Sequence, residues 1–250
     1  MVVSVNEKMT NIAEAIRMHS NIEGPLTLDD MAASIPSVYD AGKQVEYDEF
    51  WDALQAKGSR RLYGYVFYGG GWNDETFRPK YDIVLKGDYA GMQTFGHCGV
   101  VDLKGCLERQ GVKLDLSQLA SFNHSSLIWS TIEILPDLDL SSASGTLSFY
   151  YAYKLREVGT IKVRNDGQVG WNFEGVTALE TITIDGPLGK SFNVSYCQKL
   201  THDSLMSFIN ALVDYSGSGK TYTMTMGTTN LAKLTDGEKA IATQKGWTLA

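Results

Sequence analysis

The sequence is short of cysteine and positive charge and has no long apolar run, and each shortage removes a class of protein. Three cysteines in 250 residues, Cys98, Cys106 and Cys197, form no C-x-x-C pair and leave one over. Neither a zinc site nor a disulfide framework is therefore expected, and the thiols read as reduced and buried. Lys and Arg number 22 against 29 Asp and Glu, a net charge of −7. Binding to nucleic acid needs a basic footprint that neutralises phosphates, and the Arg60-Arg61 pair is too short to supply one. A membrane span needs roughly 18 consecutive apolar residues, and none occurs. The start, Met1-Val-Val-Ser-Val-Asn-Glu-Lys8, lacks the basic start, long apolar stretch and small-residue cleavage site of a secretory signal. The expectation is a globular chain made in the cytoplasm, with no nucleic acid or membrane as partner.

What is present is enough apolar material, 43% of residues, for a sizeable core without disulfides or metal. Texture divides the chain near residue 58. Before it, Val5, Met9, Ile12 and Ile16 fall at helical steps of 4, 3 and 4, up to a break at Asn21 to Pro25. Thr27, with Asp30 and Met31 behind it, resembles a cap opening a second helix. A third, after Pro36, carries Tyr47, Phe50, Trp51 and Leu54, a face too aromatic for water. Met31, Ile35, Val38, Gly42 and Val45 follow a heptad-like spacing that Pro36 interrupts, so an ordinary packing face outweighs a coiled coil. Residues 1–58 are thus expected to form a helical segment that attaches or oligomerises the chain.

From residue 59 to 250 short alternating segments, glycines, Tyr, Phe and Thr take over, which is strand-and-turn chemistry. One spacing recurs. Phe95, Cys98 and Val101 are three apart; so are Phe122, Ser125 and Ile128; Phe149, Ala152 and Leu155; Phe173, Val176 and Leu179; and Val194, Cys197 and Leu200. Their starts differ by 27, 27, 24 and 21 residues, and Phe67 with Gly70 looks like a degraded first copy. Behind the copies stand apolar pairs with one residue between: Leu114/Leu116, Leu138/Leu140, Ile161/Val163 and Ile182/Ile184, then Met224/Met226 and Trp247/Leu249. That alternation marks a half-buried strand. A period of about 20–30 residues with a turn and a short strand predicts a stack in which each coil buries its apolar face against its neighbours. The excess around Leu103 to Arg109 and Leu205 to Val213 reads as helix. Phe95, Phe122, Phe149 and Phe173 are expected to line one interior column.

The unit Phe173-Glu-Gly-Val-Thr-Ala-Leu179-Glu-Thr-Ile182-Thr-Ile184 is similar to the F-x-x-C-x-x-L-x-x-I-x-[LIV] unit of BspA-like leucine-rich repeats, and Cys98 and Cys197 stand where that family's cysteine often stands. The resemblance implies an α+β repeat protein, a helical segment followed by an irregular leucine-rich solenoid of short parallel strands, used for adhesion or recognition without catalysis. Ile12-Ala-Glu-Ala-Ile16-Arg, Leu26-Thr-Leu-Asp-Asp-Met31-Ala, Tyr47-Asp-Glu-Phe-Trp51-Asp-Ala and Gly71-Trp-Asn-Asp-Glu-Thr-Phe-Arg-Pro-Lys-Tyr81-Asp also resemble blocks found in that order in proteins carried by phages and prophages of gut Firmicutes. This second resemblance implies a virion or tail-associated binding module. Its partners would be other virion or surface proteins, reached through the N-terminal helices, and a host glycan or surface protein. A homo-oligomer, a trimer for a fibre component, goes with it.

Several patterns imitate catalysis. Ser216-Gly-Ser-Gly-Lys220-Thr221 resembles the end of a phosphate loop, but Asp214 stands where glycine is required, and a helix precedes the segment where a strand should. His19, His97, His124 and His202 have no partner at metal spacing, so no metal or cofactor is expected. Asn123-His-Ser125 and Asn193-Val-Ser195 are glycosylation sequons in form only, given no secretory signal. Asp137 and Asp139 could serve a glycan-processing virion enzyme if they faced each other in an aromatic-lined cleft about 5–10 Å apart. A bacterial surface adhesin is the other alternative.

A display surface is easier to argue. The residues inside the apolar pairs, Asp115, Asp139, Lys162, Thr183, Thr225 and Thr248, are polar and should be solvated. Tyr150, Tyr151 and Tyr153 flank Ala152, and Trp171 and Asn172 precede Phe173 one coil later. Tyr and Trp supply contact area at low entropic cost, so these five are the candidate binding residues, and the alternative is that they lie on packed turns. No catalytic residue is expected.

Overall fold

A computed structural model describes residues 72–89, 99–122, 131–150 and 152–250. The helices expected within 1–58, the boundary behind them, Phe67, Phe95, Cys98, Ile128 and the side chain of Phe122 lie outside the described residues. Within them the strands are β1 (Ile83–Tyr89), β2 (Leu114–Phe122), β3 (Ile134–Leu135), β4 (Leu138–Leu140), β5 (Ser144–Ser148), β6 (Glu157–Val163), β7 (Gly170–Asn172), β8 (Thr181–Asp185), β9 (Phe192–Asn193), β10 (Tyr222–Thr225) and β11 (Trp247–Leu249). The helices are α1 (Leu103–Gln110), α2 (His202–Ala211), α3 (Gly227–Leu231) and α4 (Asp236–Gln244).

The described part is α+β with short, exclusively parallel strands and no closed barrel. One sheet runs β1-β2-β5-β7 and another β11-β10-β9; in the third, β6 pairs with β3, β4 and β8. Paired residues lie 31 apart at Ile83 and Leu114, 23 at Ser121 and Ser144, 24 at Thr146 and Gly170, and 23 at Leu138 and Ile161. Parallel partners cannot be joined by a hairpin, so the chain crosses over between them: through β3 and β4 from β2 to β5, through β5 from β4 to β6, and through β6 from β5 to β7.

The corner between β5 and β6 shows how the spacing of three works. Ala152 N–H donates to Phe149 O at 2.8 Å and Leu155 N–H to Ala152 O at 3.0 Å. The next corners repeat this, from Val176 to Phe173, Cys197 to Val194 and Leu200 to Cys197. Bonds over three residues wind the backbone at three residues per turn, so i, i+3 and i+6 share one side. These eight side chains are buried, and so is that of Leu179, which completes the second corner.

Backbone bonds between corners set their phase. Val101 O accepts from Glu133 N and Ile134 N, Glu133 O from Arg156 N and Glu157 N, Arg156 O from Glu180 N and Thr181 N, and Glu180 O from Thr201 N. The residue before each carbonyl points inward: Val100, Ile132, Leu155 and Leu179 are all buried, as is Leu200 before the last donor, Thr201. This corrects the expected first copy. Its third apolar position is Val100, while Val101 is 38% exposed, because the residue that offers its carbonyl to the next layer cannot also turn its side chain to the core. Ile132 stands in the same way before Glu133, while Ser125 and Ile128 of the expected second copy lie outside the described residues.

The apolar pairs are buried as expected, except that Leu249 is only half-buried. Register corrects one equivalence: Ile161 faces Ile184, not Ile182, after a bulge between Glu157 and Thr160. The bulge lies beside a break in the opposing strand. Pro136 separates β3 from β4 and has no N–H, and Asp137 Oδ1 accepts from Thr160 N at 2.6 Å.

The polar residues between the apolar pairs make columns of alternating sign. Lys162 lies between Asp139, 3.5 Å away, and Asp185 in register, while Arg156 pairs with Glu133 at 3.4 Å. Such exposed pairs contribute little free energy, about 0–1 kcal/mol, but opposed signs favour this register over a slipped one. A further corner needs close approach: Gly189 N–H donates to Gly167 O at 2.9 Å, and a Cβ on Gly189 would lie 2.7 Å from that oxygen.

The core is an aromatic path. Phe149 and Phe173 stack at 5.4 Å and 23°; Phe173 meets Phe208 edge-on at 5.8 Å, and Phe208 meets Phe192 at 5.6 Å. Phe208 comes from α2, which lies where a further strand beside β8 would be. Ser204 and Ser207 Oγ accept from Ile182 N and Ile184 N at 3.0 and 2.8 Å, so serine hydroxyls finish the sheet edge.

α4 docks on α2 through Glu238, which closes its own capping box with Thr235 and meets His202 Nε2 at 2.9 Å. The bond from Glu238 raises the His202 pKa above its ordinary value, desolvation opposes it, and Asp203 adds to the rise. The Glu238 carboxyl is held low, first by the Thr235 backbone and hydroxyl and then by His202. The raised histidine contributes stability below its unfolded pKa of about 6.5 and loses it as pH rises through the folded value; the lowered carboxyl loses its contribution as pH falls through its own. The stabilising effect of the pair is therefore expected to peak near about pH 5–6. Thermal midpoints of wild type and His202→Gln across pH 4–9 check this: the gap should narrow as pH rises past the unfolded histidine value of about 6.5, and a constant gap would remove the charge from the account.

Candidate functional site

With every third residue of a corner turned inward, the residues between face outward. In the corner 149–155 these include Tyr150, half-buried with its N–H on Ser148 Oγ, and Tyr153, 55% exposed. Tyr151 lies outside the described residues. In the corner 194–200 the outward ring is Tyr196, 44% exposed.

Trp171 and Asn172 pair in register with Leu147 and Ser148 of β5. The alternation of β7 sends Trp171 inward, 8% exposed, with its ring 5.8 Å from Phe173 and almost parallel to it. Its Nε1 has no hydrogen-bond partner among the described residues. Asn172 serves the backbone: its Oδ1 accepts from Glu174 N at 2.9 Å and its carbonyl from Phe149 N at 2.8 Å. Asn193, in the sequon, does the same for Ser195 N at 2.8 Å. A short polar side chain just before the first inward residue opens each of these corners. Of the four candidates among the described residues, Tyr153 is the most exposed, and the geometry places Trp171 away from the face that carries it.

Sequence reasoning missed Tyr196 and the cleft beside it, about 500 Å³, lined by residues of the 194–200 corner, by Thr177 and by Gly227, Thr228 and Thr229. The available signal was positional, since Tyr196 precedes Cys197 as Tyr151 precedes Ala152.

The acidic residues gather elsewhere. A cleft of about 460 Å³ between α1 and the β2 and β4 strands includes Glu108, Asp115, Asp137 and Asp139 beside Lys104 and Lys113, with no aromatic side chain in its lining. Its aspartates are engaged in the fold. Asp115 Oδ1 accepts from Ser117 N and Oγ, Asp137 Oδ1 from Thr160 N, and Asp139 Oδ1 from Ser141 N and Oγ. Burial acts to raise the Asp139 carboxyl, but the Ser141 bonds and Lys162 outweigh it and hold the pKa below its ordinary value. Glycoside hydrolysis needs one carboxyl kept protonated near neutrality, and at Asp139 the surroundings work the other way.

Other candidates also prove structural. Ser216 to Thr221 is an exposed turn with α2 before it and β10 after, and Lys220 Nζ lies 5.8 Å from the Tyr215 ring centre. Cys106 and Cys197 are buried free thiols, pushed by desolvation up to about 11 and about 12. Among the described residues no group of three or more His, Cys, Asp or Glu could hold a metal ion, and no helix is long and apolar enough to cross a membrane. No family model matches the chain, and no curated protein or solved structure matches it.

Proposed function

We propose that this protein is a non-enzymatic recognition or structural module, a phage virion component of the tail or receptor-binding kind. In this reading residues 1–58 attach or oligomerise the chain, and 59–250 form a leucine-rich solenoid that displays a binding surface. The observation that carries it is the use of side chains in the repeated corners. Their inward residues build the core, their short polar residues close the turns, and Tyr153 and Tyr196 stand outward, their rings without a partner among the described residues. The phage context rests on the sequence blocks noted above. Against turnover stand the engaged aspartates and the absence of aromatics from the acidic cleft.

The test is to apply the full chain to an array of bacterial surface glycans and to host envelope proteins, and to assay the same glycans for new reducing ends. Retention without new reducing ends is expected, and Tyr153→Ala should weaken it where Lys162→Ala does not. Release of reducing ends would overturn the reading. The attachment role is tested by mass and symmetry with and without residues 1–58, and an unchanged oligomeric state would end it.

A further inference from the structure

We infer that the cleft beside Tyr196 is a subsite for a neutral sugar residue, with the tyrosine ring as its stacking platform. The inference rests on the recognition reading above and adds a place and a ligand class. The lining is Thr177, Ser195, Tyr196, Gln198, Thr228 and Thr229, with Gly227 at its base. Hydroxyls and one carboxamide offer donors and acceptors all round, and no charged side chain lines the cleft. Such a wall has no counter-charge for a phosphate, sulfate or carboxylate, and its polar groups would go unpaired against a purely aliphatic ligand. A pyranose matches it: its hydroxyls meet Thr and Gln, while its C–H face, slightly positive, lies on the negative face of an aromatic ring.

The cleft is also held in shape. Asn230 Nδ2 donates to Val194 O at 3.1 Å and Cys197 O at 3.3 Å, on both sides of Tyr196. Lys233 Nζ donates to Gln198 O and Leu200 O, both at 2.7 Å. Ser195 N is held by Asn193 Oδ1, and Gln198 N donates to Tyr196 O at 3.0 Å. At the base, Gly227 has φ +71°, and a Cβ there would lie 3.1 Å from Ser195 Cβ. One corner earlier the position of Tyr196 is taken by Gly175, so no side chain stands there. Binding to a backbone fixed in this way loses little conformational entropy, which matters for a ligand with few atoms. The volume suits one or two sugar rings.

The experiment uses the full chain and soluble neutral trisaccharides of glucose, galactose, mannose and N-acetylglucosamine, with uronate-containing trisaccharides alongside, read by saturation-transfer NMR and calorimetry. At least one neutral trisaccharide should bind with a Kd of about 0.1–5 mM, the range of single weak subsites. Tyr196→Ala should weaken it at least about tenfold, the loss of one stacked ring. Tyr196→Phe should retain it, and Lys162→Ala should leave it unchanged. Tyr196 is exposed enough for its variants to fold, which the circular dichroism spectrum verifies. Absence of binding by every neutral trisaccharide at 10 mM (about the weakest Kd worth reading), or binding indifferent to Tyr196→Ala, would overturn the inference. Binding only of uronate-containing sugars or envelope proteins would overturn it too while leaving the recognition reading in place, whereas cleavage of a probe would overturn that reading itself.

Discussion

Phe173→Ala should cost about 3–5 kcal/mol of unfolding free energy, the range for removing a buried phenyl ring. Phe173 is almost completely buried and touches three other aromatic rings, those of Phe149, Trp171 and Phe208. It therefore joins the corner before it to the helix α2 behind it. The cost should lie high in the range because the surroundings cannot collapse into the space. The flanking backbone is tied by the bonds of Phe149 N to Asn172 O and Val176 N to Phe173 O, so the rings could tilt but the layers could not close. Phe173→Leu, which keeps most of the volume, should cost less than half as much. Urea unfolding of the three proteins, with slopes compared to verify a single transition, checks both values. A loss under about 1.5 kcal/mol for the alanine variant would mean a relaxed layer at this ring, and the central role given to the aromatic path would fail.

The same ring shows what could be read from the chain alone. Phe149, Ala152, Leu155 and the two following copies are legible because a three-residue winding needs only local bonds, and local bonds leave a local pattern. Both inserted helices were legible for the same reason, since α1 and α2 carry apolar residues at helical spacing. The phase of the first copy was not. Val100 and Val101 are equally apolar, and what separates them is Val101 O accepting from Glu133 N and Ile134 N more than thirty residues away. The Ile161 register was hidden likewise, because it follows from a bulge set by Pro136 and Asp137 on the neighbouring strand.

At the candidate surface the limit was of another kind. Tyr153 could be placed outward by counting from Ala152. Trp171 could not be placed by composition, since a large ring with a polar edge suits both a recognition surface and a core, and only the alternation of β7 decides for the interior. Asn172 misled for a related reason: one oxygen that would suit a ligand also suits Glu174 N two residues on, and the nearer partner costs less chain entropy. The cleft at Tyr196 draws Thr228 and Thr229 from more than thirty residues downstream, so nothing in the local pattern announced it.

The second large effect is expected at Asn230, the one fully buried amide side chain among the described residues. Asn230→Leu should cost about 2–4 kcal/mol with almost no change in volume, because buried carbonyls would lose their donor. The amide nitrogen lies 3.1–3.3 Å from Val194 O, Cys197 O and Met226 O, and its oxygen accepts from Lys233 Nζ at 3.2 Å. Desolvation lowers the Lys233 pKa, so removing one of its three acceptors makes its half-buried ammonium harder to hold. Asn230→Asp should not rescue the loss, since a carboxylate would turn lone pairs toward carbonyl oxygens while gaining only the Lys233 charge. Hydrogen exchange separates this account from a general weakening. The amides of Cys197 and Leu200, which close the corner beneath Asn230, should lose protection first, while those of Ala152 and Leu155, two corners away, should hold theirs until global unfolding. Equal loss at both corners would mean that Asn230 supports the whole stack. Selective loss would show that α3 secures the last corner, and with it the ring of Tyr196, by side-chain bonds.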